Sequence, residues 1–410
     1  HRGALVHLHP FGHFSYDEDA PAVAKDTIYD LASLTKVVAT TTMAMILVDE
    51  GRLDLDEKVQ DFLPLFQGEG KDAVTVRHLL THSSGVDWWA PLYEEVRGPE
   101  AYLERIQAMD LVYEPGTDYK YSDLGIILLG EILARVAGQP LEEFVRERVF
   151  EPLGMTDTLY RPGERLLPRI APTEYDEWRG RTVRGEVHDE NAFALGGVAP
   201  HAGLFSTAGD LSRFVQMLLN GGVLEHHRIV SRATVELFIR KAGDGESTRA
   251  LGWDTKSPEN STAGSYFSPR SFGHTGFTGT SIWVDPEREL FLILLTNRVH
   301  PTRDNQLIRL ARPAVADAVV NALTDEYRAL PEAAPDAVVE VGLDRVAAGE
   351  DCGLRGKRLG LVVHAASVAS DGRHAIEVLR DAELEVVRLL TPEHGLRSRA
   401  AAGEHVASGR

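Results

Sequence analysis

Ser33-Leu34-Thr35-Lys36 leads into the longest apolar run of the chain, Val37-Val38-Ala39-Thr40-Thr41-Thr42-Met43-Ala44-Met45-Ile46-Leu47-Val48. The run reads as a helix from about Leu34 to Asp49, stopped by Gly51. Its side chains are apolar nearly all round, so its place is the middle of a core. Residues three apart share a helical face, which brings the Ser33 hydroxyl within reach of the Lys36 amine. A serine hydroxyl becomes a good nucleophile only when a base takes its proton, and a buried lysine with a lowered pKa is one candidate. At the head of a helix, the serine also sits where the dipole and free N–H groups favour developing negative charge. The plainer alternative is an N-cap serine followed by a solvated lysine. It fits poorly with a lysine that runs straight into twelve mostly apolar residues.

Outward from that helix, the extended residues Thr27 to Asp30 approach it from the N-terminal side. Helical patterns follow at Val76–Thr81, Pro99–Met109, Gly125–Val136, Leu141–Val149, Gly209–Leu219 and about Ser231–Arg240. Between them lies a long stretch from Gly154 to Ala208, rich in Gly, Pro and His. Its Asn191, Phe193, Leu195 and Phe205 argue for an ordered, functional loop. Two β-runs, Ser281–Val284 and Leu290–Thr296, flank Asp285-Pro286-Glu287-Arg288 as an antiparallel hairpin. A helix over Asn305–Leu323 closes the unit. Helices in the middle with strands near both ends predict an α+β fold, an antiparallel sheet covered by helices.

Two further motifs stand at element boundaries. Tyr121-Ser122-Asp123 precedes the Gly125 helix, and His274-Thr275-Gly276 precedes the hairpin, with Phe277-Thr278-Gly279-Thr280 after it. In order and spacing, these and Ser33-x-x-Lys36 resemble the serine β-lactamase/penicillin-binding-protein superfamily. Accessory stretches match the branch of class C β-lactamases, DD-peptidases and esterases. They are Leu79-Leu80-Thr81-His82-Ser83-Ser84-Gly85, Pro115-Gly116, Pro152-Leu153-Gly154-Met155 and Gly203-Leu204-Phe205-Ser206-Thr207-Ala208. The resemblance covers residues 1–325 and implies a β-lactamase/transpeptidase-like antiparallel sheet flanked by helices, with a helical subdomain.

It also implies roles. Ser33 would be acylated, Lys36 would hold or relay its proton, and Tyr121 would serve as general base and then as acid to the leaving group. The backbone N–H groups of Ser33 and Phe277 would form the oxyanion hole. His274 would occupy the site of a cation that steers a substrate carboxylate and lowers the tyrosine pKa. Asp123, Thr275, Gly276 and the loop residue Asn191 would line the substrate. Asp123 stands where the family usually has Asn, so an acceptor-only carboxylate replaces a neutral amide. Such a group repels an acylamide carbonyl or binds a substrate amine. His274 in place of Lys makes that charge depend on pH. Peptidase or esterase action is therefore expected ahead of strong antibiotic hydrolysis.

Ala329-Leu330-Pro331-Glu332-Ala333-Ala334-Pro335-Asp336 reads as part of a linker over 326–340. Beyond it, Lys357–His364 and Leu384–Leu390 read as buried parallel strands around a helix at Arg373–Asp381, a partial α/β, Rossmann-like segment. Residues 341–410 resemble the start of the exo-β-N-acetylmuramidase family. The matching pieces are Gly342-Leu343-Asp344-Arg345, Gly356-Lys357-Arg358-Leu359-Gly360-Leu361-Val362, Pro392-Glu393-His394-Gly395-Leu396-Arg397 and Ala402-Gly403-Glu404. Glu393, with His394 beside it, is the candidate acid or base there, just past a parallel strand where α/β sheets place ligands. The chain opens at His1 without methionine, and this segment ends with too few strands for a sheet. Both terminal domains are therefore expected to be cut short.

The 410 residues carry 43 Lys and Arg against 62 Asp and Glu, a formal net charge of −19. An acidic chain without a basic run lacks the footprint of a nucleic-acid or anionic-membrane binder. The apolar run at Val37–Val48 is too short to span a bilayer. One cysteine, Cys352, excludes an internal disulfide and any multi-cysteine metal site. His188, Asp189 and His201 are irregularly spaced, and neither a metal nor a cofactor is called for. Trp88 and Trp89 read either as part of the cleft wall or, equally, as a surface-packing pair. His82 reads as a helix-end residue facing the dipole, and Arg298 and His300 as solvated strand-end residues. The expected function is a serine hydrolase of an amide or ester, with a muropeptide or related small molecule as partner, in an exported bacterial protein. The other reading, favoured by Asp123, is a non-catalytic module that presents peptidoglycan to the muramidase-like segment. Oligomeric state has no signature here.

Overall fold

The computed structural model describes residues 1–242, 247–323 and, between 346 and 390, two strands, a helix and short stretches beside them. The chain divides into two compact units, His1–Thr324 and Asp325–Arg410.

In the first unit, the central helix begins as a π-helical segment, Lys36–Thr41, and continues as α-helix over Thr42–Asp49. Thr42 Oγ1 donates to the Val37 carbonyl five residues back, at 2.9 Å, inside the wider turn. Such widened turns are rare and gather at functional sites. From Lys36 to Leu47 every side chain is buried, as the unbroken apolar run requires. Around it pack the helices Asp123–Ala137 and Leu141–Val145, through Leu128, Leu129, Leu133, Phe144 and Val145. Gly138 ends the longer one in the left-handed conformation that glycine adopts without strain. No single described helix is long and apolar enough to cross a membrane. Asp123–Ala137 and Leu141–Phe150 meet that test only as a pair, bent by 69°.

A four-stranded antiparallel sheet runs in the order Leu290–Leu294, Ser281–Asp285, Phe272–Thr275, Asp254–Thr255. The hairpin pairs Ser281 with Leu294 and Asp285 with Leu290. Its other neighbour sets Ile282 opposite His274. Helix Ile308–Ala322 covers one face through Ala316 against Phe267, Trp283 and Leu290. The expectation of one sheet from both ends of the chain is corrected here. All four strands come from residues 254–294, whereas Tyr29–Asp30 pairs with Leu204–Ser206 in a separate three-stranded sheet. Leu31 N–H continues that pairing to the Leu204 carbonyl at 2.9 Å, and side-chain hydrogen bonds, not a ladder, tie the segment to the larger sheet.

The stretch from Gly154 to Ala208 is ordered. It holds the short helix Glu190–Ala194, capped by Asp189, and buries Asn191, Leu195 and Phe205. In the second unit, strands Leu359–Val362 and Val386–Leu390 pair in parallel, and the helix Ala375–Asp381 lies between them in sequence. Glu393, His394, Cys352 and the linker at 326–340 lie outside the described residues.

Candidate active site

The nucleophile turn is built by Asp30. Its buried carboxylate accepts the N–H of Ala32 at 2.7 Å and that of His188 at 2.7 Å, and burial raises its pKa. Ala32 has φ +46°, a left-handed conformation costly for a residue with a Cβ. The two bonds to Asp30 hold the chain there, and Ser33 follows at the head of the helix. From the sheet side, Thr278 Oγ1 donates to the Asp30 carbonyl at 2.8 Å and Thr280 Oγ1 to the Leu31 carbonyl at 3.0 Å. Gly276 allows this approach, since a Cβ there would lie 2.1 Å from Thr280 Oγ1 and 2.4 Å from the Leu31 oxygen.

Lys36 Nζ donates to Ser33 Oγ at 2.8 Å and to the His201 carbonyl at 3.0 Å, and it meets Asp123 Oδ1 at 2.7 Å. The ammonium thus donates two hydrogen bonds, while its contact with Asp123 is an ion pair without hydrogen-bond geometry. Burial pulls the Lys36 pKa down, but the Asp123 carboxylate and Tyr121 outweigh it, and the net shift is upward. The expectation of a lysine with lowered pKa that takes the serine proton is therefore corrected. Lys36 is a charged donor that orients the Ser33 hydroxyl.

Tyr121 sits just before the helix whose N-cap is Ser122, the Ser122 Oγ accepting from Gly125 N–H at 2.8 Å. The Tyr121 ring centroid is 5.0 Å from Lys36 Nζ, 4.5 Å from the His82 ring and 5.9 Å from the His274 ring. His82 has φ +57° and accepts the Ser122 N–H at Nδ1, 3.0 Å. Burial first, then Arg249 and Lys36, hold its pKa well below the ordinary value, so it is a neutral strut and not a charge on the helix dipole. His274 is likewise buried, and burial, Arg249 and Lys36 push its pKa well down. Its Nδ1 bonds the Thr275 carbonyl at 2.9 Å. A neutral ring cannot fill the role of a substrate-steering cation expected for His274.

Phe277 follows the Thr275-Gly276 pair, in the loop whose Thr278 and Thr280 bond the turn before Ser33. Neither Ser33 N–H nor Phe277 N–H has a hydrogen-bond partner among the described residues. Arg298 donates from Nε to the Phe277 carbonyl at 2.8 Å and lies over its ring at 4.4 Å, so it is a brace and not a solvated strand end. His300 is no more free, since its Nδ1 bonds the Thr173 carbonyl at 2.8 Å. The His188 ring also stacks on Phe277 at 5.7 Å and bonds Glu174 at 2.8 Å. His201 pairs instead with Asp189 at 2.9 Å. The three residues weighed as metal ligands are thus split over two pairs. The described residues hold no cluster of three or more His, Cys, Asp or Glu placed to bind a metal.

Asn191 is corrected as a substrate residue. Its Oδ1 accepts from Tyr93 N–H and Tyr102 Oη, both at 3.0 Å, and its Nδ2 donates to the Ala90 carbonyl at 2.9 Å. It is buried, and it bolts the loop after Trp89 to the short helix. Trp88 is half exposed, packs on Trp89 at 5.7 Å, and its carbonyl takes the Asp123 N–H at 2.9 Å, which sets it beside the cleft. Sequence reasoning missed Arg249 and Asp30, because neither stands in a recognisable motif and both act only through folded neighbours.

A serine held by a charged lysine donor, with a tyrosine ring against that lysine, is a constellation suited to acyl transfer. Comparison with known proteins agrees. The Beta-lactamase family model matches residues 1–317, and the model for the N-terminal part of exo-beta-N-acetylmuramidase NamZ matches 359–410. The chain is 36% identical over 315 residues to a "Putative D-alanyl-D-alanine carboxypeptidase" of Escherichia coli K12, covering 68% of this chain and 71% of that one. It is 35% identical over 303 residues to an "N-acetylmuramyl-L-alanine amidase" of Bacillus subtilis 168, covering 67% and 68%. Among solved structures, a penicillin-binding protein homolog from Caulobacter crescentus superposes with TM-score 0.58 at 25% identity, covering 74% of this chain and 87% of its own. A class C beta lactamase gives TM-score 0.61 at 20% identity, covering 76% and 88%, a likeness of fold. The fold and site define a hydrolase of the penicillin-recognising kind. The chain belongs to the beta-lactamase family.

Proposed function

We propose that the first unit is a serine hydrolase that cleaves an amide of a peptidoglycan-derived muropeptide through an acyl-enzyme at Ser33. The observation that carries this reading is the Lys36 ammonium, ion-paired with Asp123 at 2.7 Å, which donates to Ser33 Oγ at 2.8 Å and so leaves the proton-accepting role to another group. Tyr121 is that group. Its oxygen takes the Ser33 proton as Oγ bonds to the carbonyl carbon, and the oxyanion gathers on the Ser33 and Phe277 N–H groups. The tetrahedral centre then collapses, the C–N bond breaks, and Tyr121 returns the proton to the departing amine. Water, activated by the same oxygen, releases the acid and frees Ser33. No cofactor enters the cycle.

The muropeptide as substrate rests on the relatives named above and on the NamZ-like segment in the same chain. Asp123 supports it too, because a carboxylate at the cleft disfavours an acylamide carbonyl and suits an amine-bearing ligand. Such a substrate fits an exported protein.

The test is intact mass after incubation with a fluorophosphonate probe, with Ser33→Ala in parallel. A single adduct lost in the variant, together with hydrolysis of muramyl dipeptide or of an N-acylated Lys-D-Ala-D-Ala peptide, is the expected result. A folded wild-type protein that takes no adduct and turns over neither peptide overturns the reading in favour of a non-catalytic binding module.

A further inference from the structure

Helix Ile308–Ala322 buries Ile308, Arg312 and Ala316, one stripe at helical spacing. By packing alone, an arginine in the middle of that stripe is out of place. The side chain is 9% exposed, and an apolar residue there would avoid the cost of taking a charge out of water. Burial, with Arg298 second, lowers the Arg312 pKa to about 10, so the guanidinium is still charged at neutral pH.

The charge is spent on the loop after strand Phe272–Thr275. Arg312 Nη2 donates to the Gly276 carbonyl at 2.7 Å and to the Thr280 carbonyl at 2.8 Å. The Gly276 oxygen also accepts the Gly279 N–H at 3.1 Å. That oxygen and the Phe277 N–H are the two ends of one peptide group. The peptide is trans, so its oxygen and hydrogen point in opposite directions, and the guanidinium meets the one without covering the other. A cation on the oxygen draws electron density away from the nitrogen. The N–H at the far end becomes a stronger donor, as in any polarised chain of hydrogen bonds.

We propose that Arg312 is a positioning residue of the oxyanion hole: it polarises the Gly276–Phe277 peptide, whose N–H takes up the negative charge of the tetrahedral centre. It acts through the backbone and does not touch the substrate. The proposal rests on the acyl-enzyme reading above, which gives the Phe277 N–H its role, and extends it to the group behind that N–H. Other bonds already set the course of the loop. Thr278 and Thr280 tie it to Asp30 and Leu31, Arg298 Nε holds the Phe277 carbonyl, and the Gly276 N–H closes it on the Thr280 carbonyl at 2.7 Å. Arg312 adds charge at one peptide oxygen, and that matters most when an anion forms at the opposite end.

The experiment separates this role from plain support of the fold. kcat/KM is measured with p-nitrophenyl acetate and with its thiono analogue, in which C=S replaces C=O. Sulfur is a weak hydrogen-bond acceptor, so the thiono ester gains little from a strong oxyanion donor. Wild type and Arg312→Met are compared, with Ser33→Ala as blank. Methionine suits the buried stripe, and the variant is expected to melt no lower than wild type. With the oxygen ester, kcat/KM is expected to fall about 10- to 100-fold, short of the loss of a whole oxyanion donor. With the thiono ester, it should fall by less than about threefold. Arg312→Gln puts the same question should the methionine variant not fold.

Equal losses with the two esters would leave Arg312 a prop for the nucleophile turn and overturn the proposal. Wild-type rates with both in a folded variant overturn it as well. If wild type itself releases no p-nitrophenol above the Ser33→Ala blank, the acyl-enzyme reading fails first, a result distinct from either because it involves no change at Arg312.

Discussion

Asp123 Oδ1 lies 2.7 Å from Lys36 Nζ, and the two side chains are 19% and 1% exposed. They come from the starts of two different helices, Lys36 from the segment behind the nucleophile and Asp123 from the first turn of Asp123–Ala137. The pair sets the protonation of the site, because it keeps the lysine charged against its own burial. The lysine then grips the Ser33 hydroxyl as a donor.

Asp123→Asn tests that arrangement. An amide at this position offers an N–H to an acylamide carbonyl where the carboxylate offers repulsion. Acylation of Ser33 by benzylpenicillin, followed by intact mass against time, is expected to rise by about tenfold, roughly the worth of one neutral hydrogen bond. An unchanged rate would show that residue 123 does not select against acylamides.

Glu174 predicts a pH dependence of stability. Burial raises its pKa, but bonds from His188 and Arg303 outweigh this and bring the carboxyl from 4.5 down to about 2. A carboxyl with a depressed folded-state pKa adds stability that is fully present above pH 4.5 and disappears as the pH falls through about 2. Glu174→Gln should therefore lose up to about 3 kcal/mol at pH 7 and converge with wild type near pH 2. Urea denaturation at both pH values reads this. Equal losses at the two would mean that the carboxyl charge is not what matters. Because Glu174 fixes His188, which stacks on Phe277, acylation of the variant should also slow at pH 7.

Gly276→Ala places a methyl group against the Leu31 oxygen and Thr280 Oγ1, the contacts that hold the sheet edge to the nucleophile turn. The turn has to move, and the Phe277 N–H moves with it. Phosphonylation of Ser33 should fall by about two decades or more, the usual cost of a lost oxyanion donor. A wild-type labelling rate in a folded variant would remove Phe277 from the oxyanion hole.

Much of the architecture could be read directly from the chain. The apolar run after Lys36 is buried on every side, the hairpin at Ser281–Asp285 and Leu290–Leu294 pairs as its two β-runs and the turn between them suggest, and the parallel strands of the second unit pair around their helix in sequence. These features follow from periodicity, which is local. The strand before Ser33 was harder to place. Its two paired residues join Leu204–Ser206, a contact across more than 170 positions that no local pattern encodes.

The sequence by itself determined which chemical groups are present and in what order: serine and lysine one helical turn apart, a tyrosine before a helix, and a histidine-threonine-glycine strand before a hairpin. Those spacings are short, and covalent geometry carries them into the fold unchanged. Charge was decided only by the tertiary structure. Burial took it from His274 and His82, and Asp123 secured it on Lys36. Asn191, polar and loop-borne like a ligand residue, became a bolt because three hydrogen bonds from distant segments closed on it. Protonation depends on desolvation and on neighbours a few ångströms away, and both exist only once the chain has folded.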